Sequence, residues 1–462
     1  PLLEEALLKV WRLEMENDRL NALILKAGIN YQQVVMLRAY AKYLKQAGFV
    51  HGLTAICQAF TAHPQIVKNI VEYFENRFNP ASKNQQSAPD FEQQLAQVES
   101  AVNDRILRRY VELISATLRT NYFQENTKLL SFKFDSAHVP DLPKPVPFAE
   151  IFVYSPRVEG IHLRGGKVAR GGLRWSDRPD DFRTEVLGLM KAQMVKNSVI
   201  VPVGSKGGFV LKQAPAARDK LQEEGIACYK LYLGGLLDIT DNIVNGKIVP
   251  PAKTVRHDGD DPYLVVAADK GTASFSDIAN SVSAAYGFWL GDAFASGGSV
   301  GYDHKKMAIT AKGAFISVRR HFAEMGVDID KTPFTTVGIG DMAGDVFGNG
   351  MLLSKNIRLV AAFNHLHIFI DPTPDEKTSF IERKRLFDLP RSNWTDYDKK
   401  LISKGGAIYE RSAKKINISS EAQAALGISK GTLTPDELMR AIILAPVDLL
   451  WNGGIGTYVK AQ

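Results

Sequence analysis

The sequence predicts an α/β protein, with a helical N-terminal region followed by two α/β units. Three observations carry this. Apolar residues recur at helical spacing through residues 1–128, where glycine is scarce. From Ser131 onward, short β-like runs alternate with helical segments. Beyond Ile309 a strand, a glycine turn, a helix and a second strand follow one another.

In chain order, Leu7, Val10, Trp11, Leu13, Leu20, Leu23 and Ile24 mark the first helical stripe. The polar stretch Asn79–Pro89 reads as a loop, and Leu95, Val98, Val102, Ile106, Leu107, Tyr110 and Leu113 as a further helix. No catalytic constellation falls in 1–128, which is therefore expected to be a scaffold or regulatory region. Residues 129–309 open with strand-like runs at Ser131–Phe134, Ala149–Tyr154 and Ile161–Leu163. A helix is expected over Phe182–Lys196, entered by Asp180 and Asp181 as capping and first-turn acids. A strand over Ser198–Val203 and a glycine-rich turn over Gly204–Gly208 should follow. In residues 310–462 the pattern predicts helices at Thr310–Met325 and Ala343–Lys355, and strands at Thr332–Ile339 and Ile357–Phe363. That order is the start of a dinucleotide-binding, Rossmann-like fold. There are no internal repeats.

Composition removes several function classes. With 45% hydrophobic and 23% charged residues the chain fits a globular protein rather than a disordered one. The longest apolar candidate, Ala441–Trp451, is broken by Pro446 and Asp448, so no membrane partner is expected. The chain begins at Pro1 and not at Met, with no secretory leader pattern, which suggests a fragment or processed chain. Cys57 and Cys228 support neither a disulfide framework nor a zinc site and read as structural thiols in a reducing, cytoplasmic setting. The histidines show no metal-ligand spacing, so no metal is expected. The net charge is +7, and nearly all the excess lies in residues 156–212, with eleven Lys and Arg against five Asp and Glu. Glycines and apolar residues interrupt these cations, a pattern that suits a pocket for a small anion better than a nucleic-acid surface.

Within that stretch Arg170 precedes Gly171-Gly172, Lys196 ends the expected helix, and Lys206 sits among Gly204, Gly207 and Gly208. Glycines let backbone and substrate approach closely, and a lysine crowded by cations in such a pocket can serve acid–base chemistry. Each cation taken alone is equally a surface side chain beside a turn. The run around Lys206 is not a P-loop, and Ser205 lacks a hydrolase elbow. Further on, Gly338-Ile339-Gly340-Asp341-Met342-Ala343 forms G-x-G-x-x-A after a β-branched run. There Gly338 would permit the tight turn, Gly340 would admit a pyrophosphate, and Ala343 would pack the helix on the sheet.

Taken together, Arg170-Gly171-Gly172-Leu173-Arg174, Lys196-Asn197 and Gly204-Ser205-Lys206-Gly207-Gly208 resemble the substrate motif of the glutamate dehydrogenase superfamily. The match is nearest to its large, NAD-specific bacterial type and covers roughly residues 130–462, with the helical part matching the region upstream of that type's core. The resemblance implies that Lys206 is the catalytic lysine, that Lys196 holds the substrate α-carboxylate, and that Arg170 holds the distal carboxylate where smaller relatives carry Lys. Arginine keeps the charge and can bind a carboxylate through two parallel bonds. Related leucine and phenylalanine dehydrogenases are apolar at that position, so a cation implies a dicarboxylic substrate. Asp269, in Val265–Gly271, resembles the family's proton-shuttling aspartate, although a turn or capping aspartate would look the same.

The resemblance further assigns Thr310 and Asn452 to the nicotinamide side of the cofactor site, though Thr310 is equally a helix-starting residue. Asn364 stands at the end of the second cofactor-domain strand, where the large type commonly carries an aspartate for the adenosine ribose. His365 and His367, just beyond, suit structural roles. The family pattern continues past residue 462, so the cofactor domain is expected to be incomplete. The implied activity is reversible NAD-dependent oxidative deamination of L-glutamate to 2-oxoglutarate and ammonium, by a homo-oligomer with NAD as cofactor. The alternatives are a related dehydrogenase with another polar substrate, or a non-catalytic regulatory core.

Overall fold

The helices of the N-terminal region form where apolar periodicity and capping chemistry coincide. Asn30 and Gln33 make a reciprocal capping box at the start of the helix Tyr31–Gln46, which buries Val34, Leu37, Tyr40 and Leu44. Ser100 caps Ala101–Ala116, which buries Ile106, Leu107, Tyr110 and Leu113. Leu53–Ala62 and Pro64–Phe78 lie between them in sequence. Leu20, Leu23 and Ile24 of the first stripe are buried, whereas Leu7, Trp11 and Leu13 are exposed. The computed structural model describes residues 2–458 except 83–89, 126, 197–200, 270–271, 273, 302–303, 391 and 455–457. Most of the expected 79–89 loop therefore lies outside the described residues.

The chain divides into two compact units, residues 1–301 and 302–462. The first is built on strands β1 (Thr117–Thr120), β2 (Leu130–Asp135), β3 (Ala149–Tyr154), β4 (Val158–Arg164), β5 (Ala169–Trp175) and β6 (Val203–Leu211), a separate hairpin β7 (Asn242–Val244) and β8 (Lys247–Val249), and β9 (Val265–Ala268). Its mixed seven-stranded sheet has the order β1-β2-β3-β4-β6-β5-β9, with β5 parallel to both β6 and β9 and the remaining pairs antiparallel.

Both faces are covered, which is why β3 and β4 are buried at every position. On one face the N-terminal helices and Phe182–Lys196 share a core with Phe132, Phe134, Phe152, Ile161 and Leu163. Tyr43 stacks on Phe134 at 4.3 Å and Tyr40 on Phe132 at 4.6 Å between ring centres. The helical region, separated from the sheet at 128/129 in the sequence reading, thus packs into one core with it. On the other face Arg218–Leu237 supplies Tyr229, Tyr232, Leu233 and Leu236. Cys57 and Cys228 are buried free thiols, which burial chiefly pushes up to about 11 and about 12.

The helix Phe182–Lys196 has the bounds expected from the sequence, and Asp181 stands at its entry with its carbonyl accepting from the Glu185 amide, although the two acidic side chains are engaged elsewhere. Asp180 pairs with Lys45, Asp181 pairs with Arg178, and the amide of Arg183 donates to the side-chain oxygen of Gln46. The segment read as a glycine-rich turn, Gly204–Gly208, is instead the first half of β6. Its glycines serve close packing, since a Cβ on Gly204 would lie 2.6 Å from the Met194 amide nitrogen and one on Gly207 2.4 Å from Leu173. The strand expected at 198–203 lies outside the described residues up to 200.

The second unit carries β10 (Phe334–Ile339), β11 (Ile357–Phe363), β12 (His367–Ile370), β13 (Ala407–Glu410), a small pair β14 (Ile416–Asn417) and β15 (Thr432–Leu433), and β16 (Leu449–Asn452). The main sheet runs β13-β12-β11-β10-β16, with β10 parallel to β11 and β16. Ile309–Glu324 and Glu376–Asp388 contribute to the core on one face, and Ser420–Leu426 and Pro435–Ile443 on the other. The helix expected at 343–355 is only Asp345–Gly350. Asp341 Oδ1 accepts from the amides of Ala343 and Gly344, which holds those residues in a turn, and Gly348 and Gly350 weaken the far end. The whole is an α/β fold with a helical N-terminal region and two mixed sheets. No described helix is long and apolar enough to cross a membrane.

Candidate active site

In a strand, alternate residues share a face, so β6 directs Gly204, Lys206 and Gly208 toward the helix Phe182–Lys196. The register of β5 on β6 aligns Arg170 with Gly204 and Arg174 with Gly208, which puts both arginines on that face. Between them Gly172 is aligned with Ala267 of β9 and carries no side chain. Lys206 can therefore reach across β5. Its Nζ lies 2.6 Å from Asp269 Oδ2, just past the end of β9.

Arg174 completes the arrangement. One guanidinium nitrogen is 3.4 Å from Asp269 Oδ1 and another 2.8 Å from Glu185 on the covering helix. Glu185 also accepts from Ser176 Oγ at 2.6 Å. Asp269 is held from its own side too, since its amide donates to Thr272 Oγ1, which in turn donates to the Leu173 carbonyl. Lys206 and Asp269 have side chains 12% and 16% exposed, so the pair is screened yet reachable. The sequence reading placed Lys206 among cations, whereas the structure gives it a carboxylate whose other oxygen faces Arg174.

Arg170 is exposed on β5, and among the described residues no ion pair engages it. Lys196 is the last residue of the covering helix and is also exposed. The last turns of that helix press on Gly204, the residue aligned with Arg170, so Lys196 and Arg170 stand at the same end of the sheet. Asn197 lies outside the described residues, as do 270–271 of the Asp269 segment. Sequence reasoning assigned no part to Arg174, Glu185 or Ser176. The available signal was β5 itself, because reading 169–175 as a strand would have put Arg170 and Arg174 on one face.

In the second unit β10, β11 and β16 end together, with Ile339 in register with both Phe363 and Asn452. The carboxyl edge of such parallel strands is where open α/β sheets bind ligands. Gly338 lies inside β10 and not in the turn, and a Cβ there would lie 2.4 Å from the Phe347 ring. Gly338 therefore packs the short helix on the sheet, and Gly340, at φ +143°, makes the turn. Ala343 is half-buried and its amide belongs to the Asp341 turn. Asn452 ends β16, exposed, with its side-chain oxygen accepting from Gly454. Thr310 is an exposed residue in the first turn of Ile309–Glu324, whose cap position is Ala308. The half-buried carboxylate, the exposed amide and the side-chain-free backbone at this edge fit a dinucleotide.

Asn364 is buried, with every polar group of its side chain in use. Its amide nitrogen donates to Asp341 Oδ2 at 2.9 Å and to Asn393 at 3.0 Å, and its side-chain oxygen accepts from the amides of Leu366 and His367. His365 is exposed, while His367 bridges Asn393 and Glu410 through its two ring nitrogens.

Residues 90–462 match the family "Bacterial NAD-glutamate dehydrogenase, catalytic domain", and residues 15–80 match "Glutamate dehydrogenase, helical motif 3". The NAD-specific glutamate dehydrogenase of Pseudomonas aeruginosa is 59% identical over 100% of this chain and 29% of its own length. That of Mycobacterium tuberculosis is 56% identical over 99% of this chain and 30% of its own. The chain thus spans less than a third of these relatives. Among solved structures, Plasmodium falciparum glutamate dehydrogenase 2 covers 91% of this chain and 80% of its own at 11% identity, with a TM-score of 0.39. On the match to 90–462, the chain belongs to the bacterial NAD-glutamate dehydrogenase family and carries its catalytic domain.

Proposed function

We propose that the chain catalyses the reversible oxidative deamination of L-glutamate with NAD and water, giving 2-oxoglutarate, ammonium and NADH. In this reading residues 129–309 hold the substrate and 310–462 the cofactor, residues 1–128 act as scaffold, and the protein works as a cytoplasmic homo-oligomer. The observation that carries the proposal is the Lys206–Asp269 pair, 2.6 Å apart, on a face that also bears Arg170.

Arg170 and Lys196 bind the distal and α-carboxylates and so fix the α-carbon, which contributes orientation and therefore rate. Bound NAD supplies the hydride acceptor. Loss of hydride from the α-carbon leaves a substrate imine. Lys206 Nζ takes a proton from a water as that water attacks the imine carbon. Asp269 carries protons to and from the nitrogen until ammonia leaves, and the carbon keeps the water's oxygen as the ketone. Arg174, held by Glu185, keeps Asp269 facing Lys206 and is a positioning residue. Gly338, Gly340, Ala343, Asn364, Asn452 and Thr310 belong to the cofactor side, with Asn364 acting through Asp341.

The test is NADH absorbance with the full-length protein, 2-oxoglutarate and ammonium, run beside NADPH and a branched-chain oxo acid. Oxidation of NADH with 2-oxoglutarate but not with the branched-chain acid is expected. Activity confined to another oxo acid would transfer the reading to a related dehydrogenase, and no activity with any pair would point to a regulatory core.

A further inference from the structure

Dinucleotide sites in parallel α/β sheets distinguish NAD from NADP near the end of the second strand. An acid there accepts from the adenosine ribose hydroxyl and repels a 2′-phosphate, whereas an arginine accommodates the phosphate. In this chain the second strand, β11, ends at Phe363 and is followed by Asn364, a neutral residue whose side chain is consumed internally. The position itself therefore offers no charge.

The charge comes from another part of the chain. Asp341, in the turn after β10, sends Oδ2 to within 2.9 Å of the Asn364 side-chain nitrogen, while Oδ1 is anchored by the amides of Ala343 and Gly344. Asn364 is buried and Asp341 is half-buried, so of this bonded pair the carboxylate is the group that a ligand can meet. The opposite charge is also present, because Arg411 donates to the Asn364 carbonyl at 2.8 Å. Glu410, the next residue back, bonds to His367 at 3.1 Å.

We infer that Asp341 is the specificity-determining acid of the cofactor site, borrowed from the glycine turn to replace the missing carboxylate at 364, and that its charge offsets Arg411 and excludes a 2′-phosphate. This rests on the reading that the β10–β11 edge binds the adenosine half of the cofactor. Asn364 thus keeps a part in cofactor selection by aiming Asp341.

The experiment measures Kd for NAD+ and for NADP+ by calorimetry on the full-length protein and on Asp341→Asn, which keeps the shape and removes the charge. The ratio of the NADP+ to the NAD+ constant should fall by roughly tenfold or more, the size of one lost charge repulsion. Adding Arg411→Ala to that variant should reverse the fall. Asp341→Ser retains an oxygen that can cap the turn and gives an independent reading should the first variant fold poorly. An unchanged ratio in a folded variant, whatever happens to the absolute affinities, would reduce Asp341 to a loop cap and overturn the inference. Failure of the unmodified protein to bind NAD+ would overturn the cofactor-site reading itself.

Discussion

At the scale of single residues, the site depends on how one carboxylate is aimed. Asp269 has a free choice of rotamer only if nothing holds it, and here Lys206 and Arg174 approach its two oxygens. Arg174 in turn is fixed by Glu185, 2.8 Å away on a different element. Neutralising Glu185 as Glu185→Gln should loosen Arg174 and let Asp269 drift, with kcat falling on the order of tenfold to a hundredfold and the KM for 2-oxoglutarate changing far less. Steady-state kinetics would show this split, and an equal rise in KM would mean that Glu185 acts on substrate binding instead. The residues Lys206 and Asp269 were legible from the motif and the family resemblance. Arg174 and Glu185 were not, because their importance lies in a contact between a strand and a helix that are eleven residues apart in sequence.

At the scale of elements, periodicity identified Ala149–Tyr154, Phe182–Lys196 and Ile357–Phe363 with their observed bounds. It missed β5 and mistook the start of β6 for a turn. Both errors come from glycine, which local reasoning assigns to turns, but which here thins the sheet so that a helix and a lysine can lie flat against it. The helix Phe182–Lys196 that covers this thinned region is pinned by Arg183, whose guanidinium makes two bonds to the fully buried Glu150 while Tyr43 donates to the same carboxylate. Removing one member strands a buried charge. Arg183→Met should cost about 3–5 kcal/mol in denaturant unfolding, and pairing it with Glu150→Met should restore much of the loss. A small effect from the single variant, under about 1 kcal/mol, would show that the helix is held by its apolar contacts alone.

At the scale of the whole molecule, the first unit is bound together by ion pairs linking distant segments. Arg164 and Lys133 clasp Asp261 across β2 and β4, and although burial opposes it, their charges hold that carboxyl well below the usual range. Glu16, in the N-terminal region, is joined to Lys212 and Lys42, and these outweigh its burial to bring it down to about 2. A folded-state value below the unfolded one, about 4.3 for glutamate, gives stability that is present above that pH and lost as pH falls toward 2. Melting temperature should therefore drop steeply over that interval, and Glu16→Gln should flatten the drop while lowering stability near neutrality. An identical acid limb in the variant would remove Glu16 from the account. These long-range pairs could not be read from sequence, since Glu16 and Lys212 are separated by most of the first unit. The α/β class, the helical leader and the glycine turn before the short helix were legible, because each is written in local spacing.

The central claim is that the Lys206–Asp269 pair performs the deamination chemistry. The measurement that tests it most directly is turnover of 2-oxoglutarate, ammonium and NADH by full-length Lys206→Ala beside the unmodified protein, with circular dichroism showing that both are folded. Loss of at least about a hundredfold in kcat is the predicted result for removal of the acid–base group. Turnover at the unmodified rate in the folded variant would contradict the account and place the chemistry elsewhere.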